Sequence, residues 1–223
     1  WAQIAVAGPK ARAVFEALTD DDVSAETLPF MSYIETTMAG VPARLYRISF
    51  SGELAYEVAA PSHYGKHLWD AVLAEVKSQG GCVYGTEALH IMRAEKGFIM
   101  IGDETDGTVT PQDLNLGWAV SKKKEDFIGK RAQQRSFLAG SGRKQLVGLA
   151  TEDPKKVLPD GAHAVADTQA THMRTIGHVT STYWSPTIER SIAMALIEDG
   201  LSRDGEVLSF PLEGGEVAKA KIV

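Results

Sequence analysis

The sequence predicts an α+β fold, in which a sheet with helices packed on one face is followed by a small antiparallel β-barrel. Two observations indicate this class. In residues 1–138, strand-like alternation of apolar and polar side chains is interspersed with apolar side chains at helical spacing. Residues 145–223 instead hold short strand patterns separated by Gly, Pro and Asp turns. The Gly-rich segment 139–144 is therefore predicted to link a first domain, residues 1–138, to a second, residues 145–223.

The first domain shows the order strand, helix, strands, helix, strand, which is typical of an open sheet covered by helices on one face. Pro9 can open the first helix because its fixed backbone angle suits a first helical turn. The second helix places its apolar side chains on one side, and Gly80 and Gly81 end it. The predicted strands are residues 1–7, 30–38, 41–50 and 54–60, and the predicted helices begin at Pro9, His63 and Thr86.

The second domain is predicted from the spacing of its strands. They are close together, and the turns between them contain the residues that reverse a chain. This pattern is typical of a small antiparallel barrel. The predicted strands are residues 145–150, 163–166, 174–181, 191–197, 206–210 and 217–223.

Composition limits what the protein can bind. The chain has 223 residues, a net charge of −6 and scattered Lys and Arg, so it lacks the basic stripe that nucleic-acid binding requires. No apolar run is long enough to cross a bilayer, and no signal peptide opens the chain. The single cysteine, Cys82, excludes disulfides within the chain and fits a reducing compartment. We therefore expect a cytoplasmic protein in which Cys82 is a buried structural thiol.

Two kinds of cofactor site are not expected on this chain. The acid-rich turn at residues 103–106 lacks the regular ligand spacing and the closing Glu of an EF-hand loop, so we predict no metal site. No strand-G-x-G-x-x-G-helix pattern occurs, so no dinucleotide-binding fold is predicted.

Residues 47–58, RISFSGELAYEV, combine a strand pattern, a turn and two carboxylates at defined positions, Glu53 and Glu57. The alternation of Tyr46 and its neighbours predicts a strand, Ser51 and Gly52 predict a tight turn, and Leu54 begins a second strand. Glu53 at this turn can point into a groove while keeping water or donors around it. An ordinary hairpin turn with an exposed acid is the alternative interpretation.

This stretch matches the pattern R-x-x-[YF]-[ST]-G-E-x-x-[YF]-E, which resembles the signature of the aminomethyltransferase family, the tetrahydrofolate-dependent T-protein of glycine cleavage and its relatives. The resemblance implies an aminomethyltransferase-like fold with a ferredoxin-like sheet. It also implies that Glu53 lies in a folate pocket and contacts the pterin ring.

A second motif, residues 84–97, resembles the family pattern G-x-x-A-[RL]-D-x-x-R-L-E-[AK]-G, whose Arg helps to bind folate. Arg93 matches this Arg, and Glu95 matches the following Glu. The structural alternative is an Arg–Glu pair at a helix end, which would contribute little at the surface. With Tyr46 added, the residues expected to bind the cofactor tetrahydrofolate are Glu53, Arg93 and Tyr46.

Residues 177–197 resemble the C-terminal barrel of the family, and residues 93–131 narrow the resemblance to the α subunits of heterotetrameric sarcosine oxidases. It implies that a flavin oxidises the N-methyl amine and that tetrahydrofolate captures the one-carbon unit as methylene-tetrahydrofolate. It further implies partnership with the other sarcosine oxidase subunits, especially the flavin-carrying β subunit. FAD, FMN and NAD would then belong to the full complex and not to this chain.

The chain departs from the family in two ways. The catalytic Asp of the family would lie upstream of Trp1, so the catalytic residue is unknown here, and we expect a longer protein whose N-terminal half of this domain is absent from the sequence. A family Tyr is replaced by Ile101. A non-catalytic folate-binding or subunit-docking module is therefore the alternative function, and a relative acting on another N-methyl amine is a third.

Overall fold

The computed structural model describes residues 1–223, which form two compact units, residues 1–98 and 99–223. The segment between residue 99 and the barrel clusters with the barrel and not with the sheet. None of the helices combines the length and the apolar character that a membrane span needs.

The first unit is a four-stranded antiparallel sheet with helices on one face, as predicted. Its elements in chain order are β1 (Ala2–Ala7), α1 (Ala11–Glu16), β2 (Tyr33–Met38), β3 (Val41–Tyr46), β4 (Ala55–Ala60), α2 (Gly65–Ser78) and α3 (Thr86–Glu95). The strands lie in the order β1-β4-β3-β2. β1 therefore forms one edge of the sheet and pairs with β4 alone.

The core of this unit lies between the sheet and the helices. In β3 the buried side chains Val41, Ala43 and Leu45 alternate with more exposed ones, as expected of a strand covered on one face. Phe15 of α1 and Leu68 of α2 are fully buried in the same cluster. Burial of each such large side chain stabilises the fold by about 1.5–3 kcal/mol.

The connection between β3 and β4 corrects the sequence prediction. The strand expected to continue to Phe50 ends at Tyr46, and residues 47–54 form an irregular loop instead of a tight turn. The last ladder pair is Tyr46 with Glu57. Beyond this pair the guanidinium of Arg47 donates to the Ala55 carbonyl at 3.0 Å. If β3 continued, a backbone amide would donate to this carbonyl, so the side-chain bond replaces a bond of the strand ladder.

Cys82 is a second correction, because it is exposed and not buried. It lies in residues 81–85, which have no regular secondary structure and join α2 to α3. No strand covers this segment, so its side chains remain in contact with solvent.

The second unit contains the predicted barrel. Its strands are β5 (Lys144–Thr151), β6 (His163–Val165), β7 (Thr175–Ser185), β8 (Arg190–Glu198), β9 (Val207–Pro211) and β10 (Val217–Ile222), and the short helices α4 (Lys130–Gln133) and α5 (Ser136–Ala139) precede them. The strands close in the order β10-β5-β8-β7-β6-β9, with antiparallel neighbours throughout.

The barrel encloses its own apolar cluster, in which Leu149, Ile197 and Phe210 are among the most buried side chains. Gly177 shows how closely β7 and β8 approach. A Cβ at this position would lie 2.2 Å from the Leu196 carbonyl oxygen, so no larger residue fits without displacing the backbone.

A buried carboxylate attaches the start of the second unit to the barrel. Glu104 is fully buried, and its Oε1 accepts hydrogen bonds from the hydroxyls of Thr180 at 3.0 Å and Ser181 at 2.5 Å. Its Oε2 accepts from the Met100 amide at 2.8 Å. These bonds offset the cost of removing the charge from water and fix residues 100–104 against β7.

Candidate functional site

A cleft of about 680 Å³ opens in the first unit beside the free edge of β1. It lies between this strand, α2, residues 81–85 and α3, and Glu53 lies on its wall. Its volume is in the range of small-molecule sites, which are mostly apolar with a few placed polar groups. Side chains that line it include Val6, Trp69, Leu73, Tyr84, Leu89 and Met92.

The periodicity of two helices builds the apolar walls. In α2 the cleft residues Trp69, Val72, Leu73 and Val76 recur at the spacing of one helix face. The α3 residues that reach the cleft are Ala88, Leu89 and Met92. Trp69 remains 42% exposed although it belongs to this apolar face. The face is therefore only partly covered within the unit.

Glu53 is held at the cleft by Lys96, which follows α3. The Lys96 ammonium lies 3.4 Å from Glu53 Oε1, and the two side chains are 47% and 40% exposed. The stem of Lys96 also packs against the loop, since a Cβ on Gly52 would lie 2.5 Å from Lys96 Cγ. The C-terminal end of α3 thus rests on the loop that carries Glu53.

Arg93 lies in the same last turn of α3, but the structure buries its side chain completely. Its Nη1 donates to the Phe98 carbonyl at 3.2 Å, and the Phe98 amide donates to the Arg93 carbonyl at 2.9 Å. Arg93 does not line the cleft. The structure therefore brings the helix end with Arg93 to the Glu53 loop, while the guanidinium fastens the end of the helix.

Tyr46 does not lie on the cleft either. At the end of β3 it pairs with Tyr33 of β2, and the two rings stack with centroids 5.5 Å apart. A hydrogen bond with Tyr46 is the main reason that the pKa of the exposed Arg44 is raised, followed by one with Glu35. Of the three predicted binding residues, Glu53 alone is on the cleft wall.

The sequence patterns did not indicate two residues that contribute here. Tyr84 lines the cleft, and Lys96 lies beside Glu53. Tyr84 is on the cleft wall, and burial, followed by the charge of Glu57, raises the pKa of its hydroxyl. Its position just before the third predicted helix was the available signal, because an aromatic residue in a Gly-flanked connection is unusual without a packing partner.

The arrangement suits a flat heteroaromatic ligand. Aromatic and aliphatic side chains cover ring faces, and the Glu53 carboxylate can accept hydrogen bonds from ring N–H groups at one end of the cleft. No group of three or more His, Cys, Asp or Glu side chains is arranged to hold a metal ion.

Comparison with protein families matches the GCVT N-terminal domain over residues 1–124 and the glycine cleavage T-protein C-terminal barrel domain over residues 144–223. The boundaries of the second match coincide with the closed barrel.

The sequence is also similar to proteins of known function. The chain is 47% identical over 220 residues to the sarcosine oxidase subunit alpha of Corynebacterium sp. (strain P-1), covering 96% of this chain and 22% of that protein. It is 33% identical to the aminomethyltransferase of Bacillus subtilis (strain 168), covering 100% of this chain and 59% of that protein. The chain therefore spans only part of the length of these relatives.

The solved structure of the glycine cleavage system aminomethyltransferase T from Bartonella henselae superimposes with a TM-score of 0.81 at 25% identity, covering 99% of this chain and 57% of that one. The likeness extends over both compact units. From the family matches, the sequence relatives and the fold, this chain belongs to the glycine cleavage T-protein family.

Proposed function

We propose that this chain is the tetrahydrofolate-binding part of a sarcosine oxidase α subunit. The observation that carries the proposal is the position of Glu53 on the wall of an apolar, aromatic-lined cleft of ligand size. The 47% identity to a sarcosine oxidase subunit alpha supports this choice among relatives of the family. The partners are then the other oxidase subunits, above all the flavin-carrying β subunit, and the compartment is the cytoplasm.

In this proposal Glu53 accepts hydrogen bonds from the amino-pyrimidine edge of the pterin. Trp69 and Tyr84 provide aromatic surface for the ring system, and the aliphatic residues of α2 and α3 keep water away from it. Arg93 supports the site indirectly, because its hydrogen bond to Phe98 fixes the helix end on which the Glu53 loop rests.

The reaction is a one-carbon transfer. Flavin elsewhere in the complex would supply the two-electron oxidation that converts sarcosine to the iminium CH₂=NH⁺–R. Tetrahydrofolate held by Glu53, Trp69 and Tyr84 would supply the two amine nitrogens that take up the CH₂ carbon, and their two protons would leave on the amine as R–NH₃⁺. The role of this chain is to hold folate where capture outruns hydrolysis of the iminium.

The fate of the methyl carbon tests this proposal. In the intact protein, produced with its natural partner subunits, saturating sarcosine and limiting tetrahydrofolate should yield methylene-tetrahydrofolate from wild type. Glu53→Gln should divert most of the carbon to free formaldehyde, while oxygen uptake stays within about twofold, because the flavin step does not use this cleft.

An unchanged ratio of methylene-tetrahydrofolate to formaldehyde in Glu53→Gln would contradict the proposal. The alternative, a non-catalytic folate-binding or subunit-docking module, would then be favoured. This alternative predicts that replacing Trp69 changes the assembly of the complex on gel filtration. The ratio of methylene-tetrahydrofolate to formaldehyde would stay unchanged.

A further inference from the structure

Glu53 lies on a loop without regular secondary structure, yet its side chain is held on the wall of the cleft. Residues 47–54 form no ladder, and the Glu53 side chain is 40% exposed. A glutamate in such a loop samples several rotamers and loses that freedom when it binds a ligand. A contact that restricts it beforehand improves affinity by preorganisation.

Lys96 makes two contacts that together restrict Glu53. Its stem lies over Gly52, where a Cβ would come within 2.5 Å of Cγ and 2.8 Å of Cβ of the lysine. Its ammonium lies 3.4 Å from Glu53 Oε1. The first contact fixes the backbone next to Glu53, and the second fixes the carboxylate.

We propose that Lys96 is a positioning residue for the folate contact, one that holds the Glu53 carboxylate on the cleft wall without touching the ligand ring. This inference rests on the proposed function of the cleft. Lys96 itself does not line the cleft, whereas Glu53 does, which separates the two roles.

The expected effect is modest, because both side chains are partly exposed and such ion pairs are weak. Losing the charge while keeping the stem should raise the dissociation constant for a reduced folate about three- to fivefold. Restoring a cation of similar length should return the value to within about twofold of wild type, because the stem and the charge are both recovered.

The test uses 5-formyltetrahydrofolate, a stable reduced folate, titrated by calorimetry into the intact protein with its partner subunits. The variants are Lys96→Met, which keeps the stem, and Lys96→Arg, which keeps the charge. Each is also measured together with Glu53→Gln. Lys96→Met should weaken binding when Glu53 is present and have no further effect when Glu53 is already Gln, because no carboxylate remains to be positioned.

Three results would overturn the inference. These are wild-type affinity in Lys96→Met, weakened binding in Lys96→Arg, and an equal loss from Lys96→Met in the Glu53→Gln background, which would indicate a general structural role. In all three cases wild type still binds the probe and the proposed function survives. Absence of binding by wild type would overturn the proposed function, and this inference with it.

Discussion

Gly52 shows how a single residue without a side chain can determine a site. Its φ of +79° lies in the left-handed region, and the stem of Lys96 occupies the space where a Cβ would be. The first feature belongs to the loop that carries Glu53, and the second belongs to the residue that follows α3. The glycine therefore permits the loop conformation and the close approach of the helix end at once.

Gly52→Ala should lower the free energy of unfolding by about 2 kcal/mol or more, since backbone strain adds to displacement of Lys96. Gly40→Ala is the matched control, because Gly40 has a φ of +81° and no atom lies where its Cβ would be. This variant therefore introduces backbone strain without displacing a neighbouring side chain. Urea unfolding compares the two. Equal losses in both variants would show that the Lys96 contact contributes nothing.

At the residue scale, the sequence singled out Glu53, which lies on the cleft wall and whose folate contact stays a prediction, but it did not predict the surroundings of Arg93 and Tyr46. A motif identifies which side chains are special. Whether a side chain is directed to a cleft or into its own helix end depends on three-dimensional packing that a motif does not specify, and Arg93 donates to Phe98, five residues further along the chain. The same reason explains why Lys96, an ordinary lysine beside a glycine, gave no signal.

Among the elements of the second unit, the start of β5 depends on a buried ion pair. Arg143 donates to both carboxylate oxygens of Asp113, and the side chains are 11% and 4% exposed. Asp113 also accepts from the Thr110 amide at 2.8 Å, and its own carbonyl accepts from the Leu146 amide at 2.7 Å. These contacts tie the 110–113 turn to the barrel.

Asp113→Asn should destabilise the second unit by about 3 kcal/mol, because it leaves Arg143 buried without its counter-charge. The control is Asp70→Asn, which breaks an exposed ion pair to Lys66 within α2 and should cost at most about 0.5 kcal/mol. Both are measured by urea unfolding at neutral pH. Similar losses for the two variants would contradict the account of the buried pair.

The same carboxylate predicts a dependence on pH. Burial alone would raise the pKa of Asp113, but hydrogen bonds from Arg143 and Thr110 outweigh burial and lower it. The folded state therefore binds this proton less readily than the unfolded state. The stabilisation should be complete above the ordinary carboxyl value of about 3.9 and should be lost as the pH falls through the lowered pKa.

The gap in stability between wild type and Asp113→Asn should accordingly be constant from pH 7 to pH 5 and narrow below about pH 4. A gap that stays constant to pH 3 in urea unfolding would mean that the charge of Asp113 is not what stabilises the turn.

At the element scale, the six barrel strands were predicted because their turns carry Gly, Pro and Asp and their apolar side chains alternate. In the first unit, the predicted extension of β3 to Phe50 was wrong, because the Arg47 side chain and not a backbone amide donates to the Ala55 carbonyl. The alternation of apolar and polar residues cannot reveal where the strand ends, because Arg47 also fits the alternating pattern of a strand.

At the scale of the whole molecule, each of the two units has its own apolar cluster, and one family match contains the sheet while the other contains the barrel. The order of elements in the sequence was sufficient to predict this class. The cleft was not predictable in the same way, since it arises where β1, α2 and α3 meet without filling the space between them.

In the proposed function, the Glu53 cleft binds a reduced folate. The most direct test is calorimetric titration of 5-formyltetrahydrofolate into the intact protein, comparing wild type with Glu53→Gln and with Glu35→Gln, which breaks an exposed ion pair to Arg44 away from the cleft. Loss of a charged hydrogen bond should weaken binding by Glu53→Gln about ten- to hundredfold, with the thermal midpoint nearly unchanged. Glu35→Gln should bind as wild type does. Equal affinity for all three proteins would contradict the claim.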